Sequence, residues 1–230
     1  MPCSHFVPDQ RLFHLCKQRF RQVIDLPEDV PSWSVLDLTK PPATGEIIAD
    51  WTVGKYDEKR EGMYNTELFS VLDPSLRRNI HIGIDLGAPV NQPVLSFATG
   101  SVHSCGYNPA PGDYGNVVVV EYVFGKDGVA RDVDGQDDDE EDLTHLWALY
   151  GHLNSKTLET LYAGKHVKEG ETIGWIGDRK ENGGWEPHLH FQLSVKEPAT
   201  HDMPGVVAEK DIKQARLDFP HPFHVTGVLY

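Results

Sequence analysis

Cysteine is scarce in this sequence: Cys3, Cys16 and Cys105 are the only three in 230 residues. An odd, widely spaced set makes no disulfide framework, and the absence of any Cys-x-x-Cys pair removes cysteine-based zinc sites. Reduced thiols in an intracellular protein are the expectation. Positive charge is also in short supply, with 21 Lys and Arg against 35 Asp and Glu and a formal net charge of -14. That balance argues against nucleic acid or an anionic membrane as the main partner, although much of the excess sits in residues 137–142. Long apolar runs are missing as well. The most apolar stretch, the four valines at 117–120, ends at Glu121, so nothing is long enough for membrane insertion. The N-terminus mixes Asp9, Arg11, Lys17 and Arg19 with its apolar residues, lacks the apolar centre of a secretory signal, and favours a cytoplasmic location.

The length fits one domain with extensions. Residues 1–45 read as an N-terminal helix and a Pro-rich linker. Within them, residues 9–26 place Leu12, Phe13, Cys16, Phe20, Val23 and Ile24 near one helical face, with Asp9 as N-cap and Pro27 as the stop. Residues 46–79 read as an extension packing on the core. From residue 80 the signal is β, with strands expected at 80–86, 93–97, 100–105, 116–124, 146–152, 172–176 and 188–195, and a short helix at 155–161. Many short strands separated by Gly and Pro turns suggest an antiparallel β sandwich or open barrel, so the fold class is mainly β with an N-terminal helix. The core would span 80–196. Residues 125–144 interrupt it with an acidic run that has nothing apolar to bury; a disordered hairpin insertion is expected, and the calcium-loop spacing is absent. Residues 197–230 are left as a C-terminal tail.

Three segments concentrate the chemistry: His81-Ile82-Gly83-Ile84-Asp85, Tyr150-Gly151-His152-Leu153 and Pro187-His188-Leu189-His190-Phe191. In an extended strand alternate side chains share a face. His81, Gly83 and Asp85 would then lie opposite Ile80, Ile82, Ile84 and Leu86, and His188, His190 and Gln192 opposite Leu189, Phe191, Leu193 and Val195. A catalytic zinc needs three protein ligands and one open position. His81, Asp85 and one of His188 and His190 would supply them, leaving a net charge near +1 that favours ionisation of water.

The order and spacing of these residues resemble the lysostaphin/LytM-like zinc endopeptidases, which cut peptide bonds in peptidoglycan. The resemblance covers residues 80–193 and rests on His81-x-Gly-x-Asp85, Tyr150-Gly-His-Leu153, the Val167-x-x-Gly-x-x-Ile-Gly174 turn and Pro187-His-Leu-His-Phe191. It implies the family's compact antiparallel β structure with a duplicated hybrid motif, and one Zn2+ per chain held by His81, Asp85 and His190. It also implies His152 and His188 as the catalytic histidines, and a peptide or peptidoglycan-fragment substrate with small residues such as Gly or D-Ala beside the cut bond. Trp185, Gly184 and Tyr150 are expected at the substrate groove.

The loop before the histidine pair departs from the wall-cutting members. Asn182-Gly183-Gly184-Trp185 stands where a Ser/Thr/Gly-rich loop is usual, and it resembles an intracellular subgroup. Two other readings compete. A non-catalytic peptide-binding or regulatory domain of the same fold would be expected to have lost ligands, and this chain keeps all five residues. A histidine phosphocarrier would place Asp85 beside a phosphohistidine, where like charges repel. The remaining histidines, His221 and His224 among them, are expected to be structural or surface residues.

Overall fold

The computed structural model describes residues 9–41, 50–69, 73–131 and 143–230. Its strands are β1 (Ser34–Val35), β2 (Thr52–Gly54), β3 (Arg78–His81), β4 (Ile84–Gly87), β5 (Pro93–Leu95), β6 (Gly100–Asn108), β7 (Gly115–Phe124), β8 (Ala130–Arg131), β9 (Thr144–Leu153), β10 (His166–Val167), β11 (Thr172–Trp175), β12 (His188–Ser194) and β13 (Val206–Ala208). Three short helices follow the later strands: α1 (Lys156–Thr160), α2 (Ile212–Asp218) and α3 (Phe223–Thr226). The main sheet runs β1-β2-β4-β12-β9-β7-β6-β10, with β8 on β7. Its pairs are antiparallel except β1 with β2. Two small sheets pair β5 with β11 and β3 with β13. The fold is mainly β, as expected.

The valine run explains the centre of this sheet. Val118 and Val120, with Tyr122 and Phe124, face the main core beside Phe97, Tyr150 and Phe191. Val117 and Val119 face a second cluster with Tyr114, Trp147, Leu149 and Met203. A strand covered on both faces has no reason to alternate polar and apolar residues. Each fully buried valine contributes about 1.5–3 kcal/mol by removal from water.

Three expectations need revision. Residues 80–86 are two strands, because the chain leaves one sheet and enters another at Ile82-Gly83. β3 pairs with β13, and β4 pairs with β2 and β12. Ile80 and Ile82 accordingly pack against Val207 and Ala215, while Ile84 and Leu86 enter the main core, so the four do not share one face. Residues 9–26 do not form one helix. They make two 3-10 turns, Gln10–Leu12 and Leu15–Lys17, and then continue without regular structure. Backbone bonds to the core replace helical ones: Arg21 N–H donates to the Phe97 carbonyl at 3.2 Å and Leu95 N–H to the Val23 carbonyl at 2.8 Å. Leu12, Leu15, Val23 and Ile24 are buried all the same, and Phe20 sits edge-on to Phe97 and Phe124. The C-terminal segment is more than a tail, since β13 and α2 cover Ile80 and Ile82.

α1 forms where a short helix is expected. The acidic run falls in residues 132–142, outside the described residues. Among the described residues no helix is long and apolar enough to cross a membrane.

Candidate metal centre and peptide groove

Strand register builds the centre. Gly54 of β2, Asp85 of β4, His190 of β12 and Gly151 of β9 lie side by side across four neighbouring strands. Directly paired residues direct their side chains to the same face, so Asp85 and His190 meet there. His81 joins them from the end of β3. The His81 Nε2 and Asp85 Oδ1 atoms are 3.2 Å apart, His190 Nδ1 and Asp85 Oδ1 3.1 Å, and His81 Nε2 and His190 Nδ1 3.0 Å. Among the described residues this is the one cluster of three or more His, Cys, Asp or Glu with ligand atoms so close. Gly83 permits the convergence: a Cβ there would stand 2.6 Å from His190 Cε1 and 2.7 Å from its Nε2.

The ring nitrogens facing away from the cluster are held by acceptors. His81 Nδ1 lies 2.9 Å from the Lys55 carbonyl. His190 Nε2 lies 3.0 Å from Gln192 Oε1, and the Gln192 amide donates onward to the Pro204 carbonyl. A proton on each of these outer nitrogens leaves lone pairs on His81 Nε2 and His190 Nδ1, pointing at Asp85. Asp85 itself accepts from Arg60 Nη1 through Oδ2 at 2.6 Å. Burial alone would raise the Asp85 carboxyl, but positive charge beside it, from His81 when protonated and from Arg60, holds it well below the usual carboxylate range. Burial and the Arg60 charge lower His81 to about 4.

His152 and His188 stand next to this cluster with ring centroids 4.3 Å apart. His152 Nδ1 lies 2.8 Å from the Asn182 carbonyl and His188 Nδ1 2.6 Å from the Glu186 carbonyl. A carbonyl only accepts, so each Nδ1 carries the proton and each Nε2 is left basic. Burial, then the neighbouring His188 and His190, holds His152 well below its ordinary value, and burial lowers His188 to about 4. Both are therefore neutral at pH 7. His152 reaches this position through a left-handed backbone, φ 65°. Simple alternation along β9 would have sent it to the core beside Tyr150. The residue is fixed by His152 N–H donating to the Tyr114 carbonyl and Gly177 N–H donating to the His152 carbonyl.

These five side chains line a groove of about 510 Å³. One wall is aromatic and apolar: Tyr64 packs on Phe69 and Trp185 with centroids 5.1 and 5.9 Å away, and Met63 and Val206 complete the cluster. Leu36, Leu38, Tyr64 and Phe69 bring the N-terminal segments into the groove.

Residues 141–201 match peptidase family M23. The match covers 61 of the chain's 230 residues, and that segment is similar to the family. Among curated proteins, the DD-carboxypeptidase/endopeptidase Mpg of Neisseria meningitidis serogroup B is 26% identical over 136 residues, 59% of this chain and 25% of that protein. The peptidoglycan DD-endopeptidase ShyC of Vibrio cholerae is 27% identical over 184 residues, covering 69% of this chain and 34% of that one. The chain thus spans a quarter to a third of these relatives' lengths. The catalytic domain of lysostaphin from Staphylococcus simulans is similar at 20% identity over 60% of this chain and 80% of that one, with a TM-score of 0.35.

The family match takes in His152, His188 and His190, while His81 and Asp85 precede it. The structure brings all five together, and Trp185 and Gly184 line the same groove. Tyr150 does not. It is fully buried in the main core, where its hydroxyl pairs with that of Tyr122 at 2.7 Å, and Tyr122 pairs with Ser96. Alternation on β9 explains the correction, since Gly151 faces the groove and its neighbour must face away. Sequence reasoning also left out Arg60, Asn182 and any role for Gln192. Gln192 was within reach, being the third member of the polar face His188-x-His190-x-Gln192. Arg60 belongs to no motif and meets Asp85 only through the tertiary fold.

Proposed function

We propose that this chain is a zinc-dependent endopeptidase that hydrolyses peptide bonds in peptidoglycan-like or Gly/D-Ala-containing peptides. The observation that carries this reading is the triangle of His81 Nε2, Asp85 Oδ1 and His190 Nδ1, with edges of 3.0–3.2 Å. Ligands bound tetrahedrally at about 2.0–2.1 Å stand about 3.3–3.4 Å from one another, so the donor set fits zinc with little movement. Two imidazoles and a carboxylate are a catalytic rather than a closed structural set, and the histidines' outer nitrogens are already oriented by carbonyl or amide oxygens. The names of the relatives Mpg and ShyC support the substrate class.

Zinc bound there would supply Lewis acidity, polarising a scissile carbonyl and lowering the pKa of water at the open position. The protein's own groups do the rest. The neutral Nε2 of His152 or His188 takes the proton from the attacking water. The histidine that becomes cationic is stabilised by Asp85, whose Oδ1 lies 3.8 Å from His188 Nε2. The Nε2–H formed in that way then gives its proton to the departing amide nitrogen, while the other histidine keeps its own proton on Nδ1, held by a backbone carbonyl. The apolar wall of Tyr64, Phe69 and Trp185 keeps water from one side of the bound peptide.

The test is cleavage of a Gly- and D-Ala-containing peptide library by the zinc-loaded chain. Cleavage that disappears in His152→Ala supports the reading. Binding without cleavage fits a peptide-binding domain instead, and full cleavage after losing both His152 and His188 refutes the mechanism.

A further inference from the structure

The two oxygens of Asp85 have separate partners. Oδ1 lies with the His81 and His190 nitrogens, while Oδ2 accepts a 2.6 Å hydrogen bond from Arg60 Nη1. Arg60 is 2% exposed and comes from the segment before β3, well ahead of the residues that match the family. Its guanidinium is held through Nε and Nη1. Nε donates to Glu58 Oε2 at 3.3 Å, and Nη1 donates to the Tyr64 hydroxyl at 3.1 Å as well as to Asp85. Nη2 lies 3.0 Å from His81 Nδ1, whose proton goes to the Lys55 carbonyl, so that approach is a contact and not a hydrogen bond. Glu58 is also buried, and is fixed by Leu38 N–H at 3.3 Å and Lys55 Nζ at 3.1 Å. Lys55, Glu58, Arg60 and Asp85 thus form a line of alternating charges running into the centre. Breaking one link leaves a buried charge uncompensated. Gly54, directly across from Asp85 on β2, leaves room for the line: a Cβ there would stand 2.7 Å from Arg60 Nη2 and 3.3 Å from Asp85 Cβ.

We propose that Arg60 is a positioning residue for the metal centre, holding Asp85 by Oδ2 so that Oδ1 alone is presented to the metal. A segment outside the matched region thereby completes the site. The proposal rests on the zinc reading above. A planar guanidinium suits the task because its nitrogens serve Glu58, Tyr64 and Asp85 at once, in a fixed plane that an ammonium cannot reproduce. Its charge acts in the opposite sense, since a cation beside the centre repels a dication. The proposal commits to orientation over charge.

The experiment measures zinc affinity of the full chain by competition with a chromophoric chelator, for wild type, Arg60→Lys, Arg60→Met and Gly54→Ala. Circular dichroism and thermal melts establish that each variant is folded. Loss of an outer partner of a metal ligand costs 10–100-fold in affinity, and that range is expected for both Arg60 variants. Gly54→Ala displaces the guanidinium while keeping every charge, and about a tenfold loss is expected. It carries the test if Arg60→Met does not fold. The visible spectrum of the Co2+-substituted chain should also change in Arg60→Lys, because the second Asp85 oxygen is released. A charge-only role predicts tighter zinc in Arg60→Met and no change in Arg60→Lys. That result, or unchanged affinity in folded Arg60→Lys and Gly54→Ala, overturns the proposal. Wild-type protein that binds no zinc defeats the zinc reading itself, whereas zinc binding that ignores Arg60 defeats only this inference.

Discussion

Replacing Gly83 with alanine probes the metal centre by a single methyl group. The added Cβ would lie 2.6 Å from His190 Cε1, 2.7 Å from Nε2 and 3.0 Å from the Phe191 carbonyl oxygen. Carbon contacts settle near 3.5–4.0 Å, so the ring or the strand must give way by about 1 Å. Metal–ligand distances tolerate about 0.2 Å, and a displacement five times larger takes His190 Nδ1 out of the ligand set. The expected loss in zinc affinity is on the order of a hundredfold, about 2.7 kcal/mol. Overpacking adds about 1–3 kcal/mol of destabilisation. Isothermal titration with zinc, beside a urea melt, separates the two effects. Wild-type zinc affinity in folded Gly83→Ala would refute the placement of His190 as a ligand.

His152→Ala and His152→Gly should both abolish peptide cleavage. The glycine variant should be the more stable by about 1 kcal/mol in urea melts, because the position has φ 65°; equal stability would contradict the strain assigned there. Tyr150→Phe should cost about 1 kcal/mol through the lost bond to Tyr122 and leave cleavage unchanged, since the ring faces the core; a large fall in activity at full stability would return Tyr150 to the groove. Acid should weaken the metal-free fold. Burial holds His221 and His224 at about 4, below the ordinary 6.5, so the unfolded chain binds more protons in between. Stability is complete above pH 6.5 and declines as pH falls toward 4, on the order of 3 kcal/mol for each group. The urea midpoint should track this, with a shallower fall in His224→Gln; a flat profile would contradict the burial of these rings.

Much of the site could be read from the chain because strand alternation and short-range spacing carry it. His188, His190 and Gln192 share a face as alternation requires, and all seven expected strand regions contain strands. Where tertiary contacts take over, the reading fails. The segment at 80–86 looks continuous, yet Gly83 marks a passage between two sheets. The apolar spacing at 9–26 correctly names Leu12, Val23 and Ile24 as buried but not Phe13 and Cys16, which are exposed, and it misses the conformation, because bonds to residues 95–97 replace helical ones. Tyr150 stands in a motif that borders the groove, but its own side chain faces the core. Arg60 shows the limit most clearly: its partner Asp85 is 25 residues away, and nothing local to Arg60 announces it.

The most direct test of the metal centre is elemental analysis of the chain purified without chelators, alongside Asp85→Ala and His81→Ala. About one zinc per wild-type chain, lost in both variants, is the expected result. A wild-type chain without zinc, or variants that retain a full equivalent, would contradict the assignment of His81, Asp85 and His190 as its ligands.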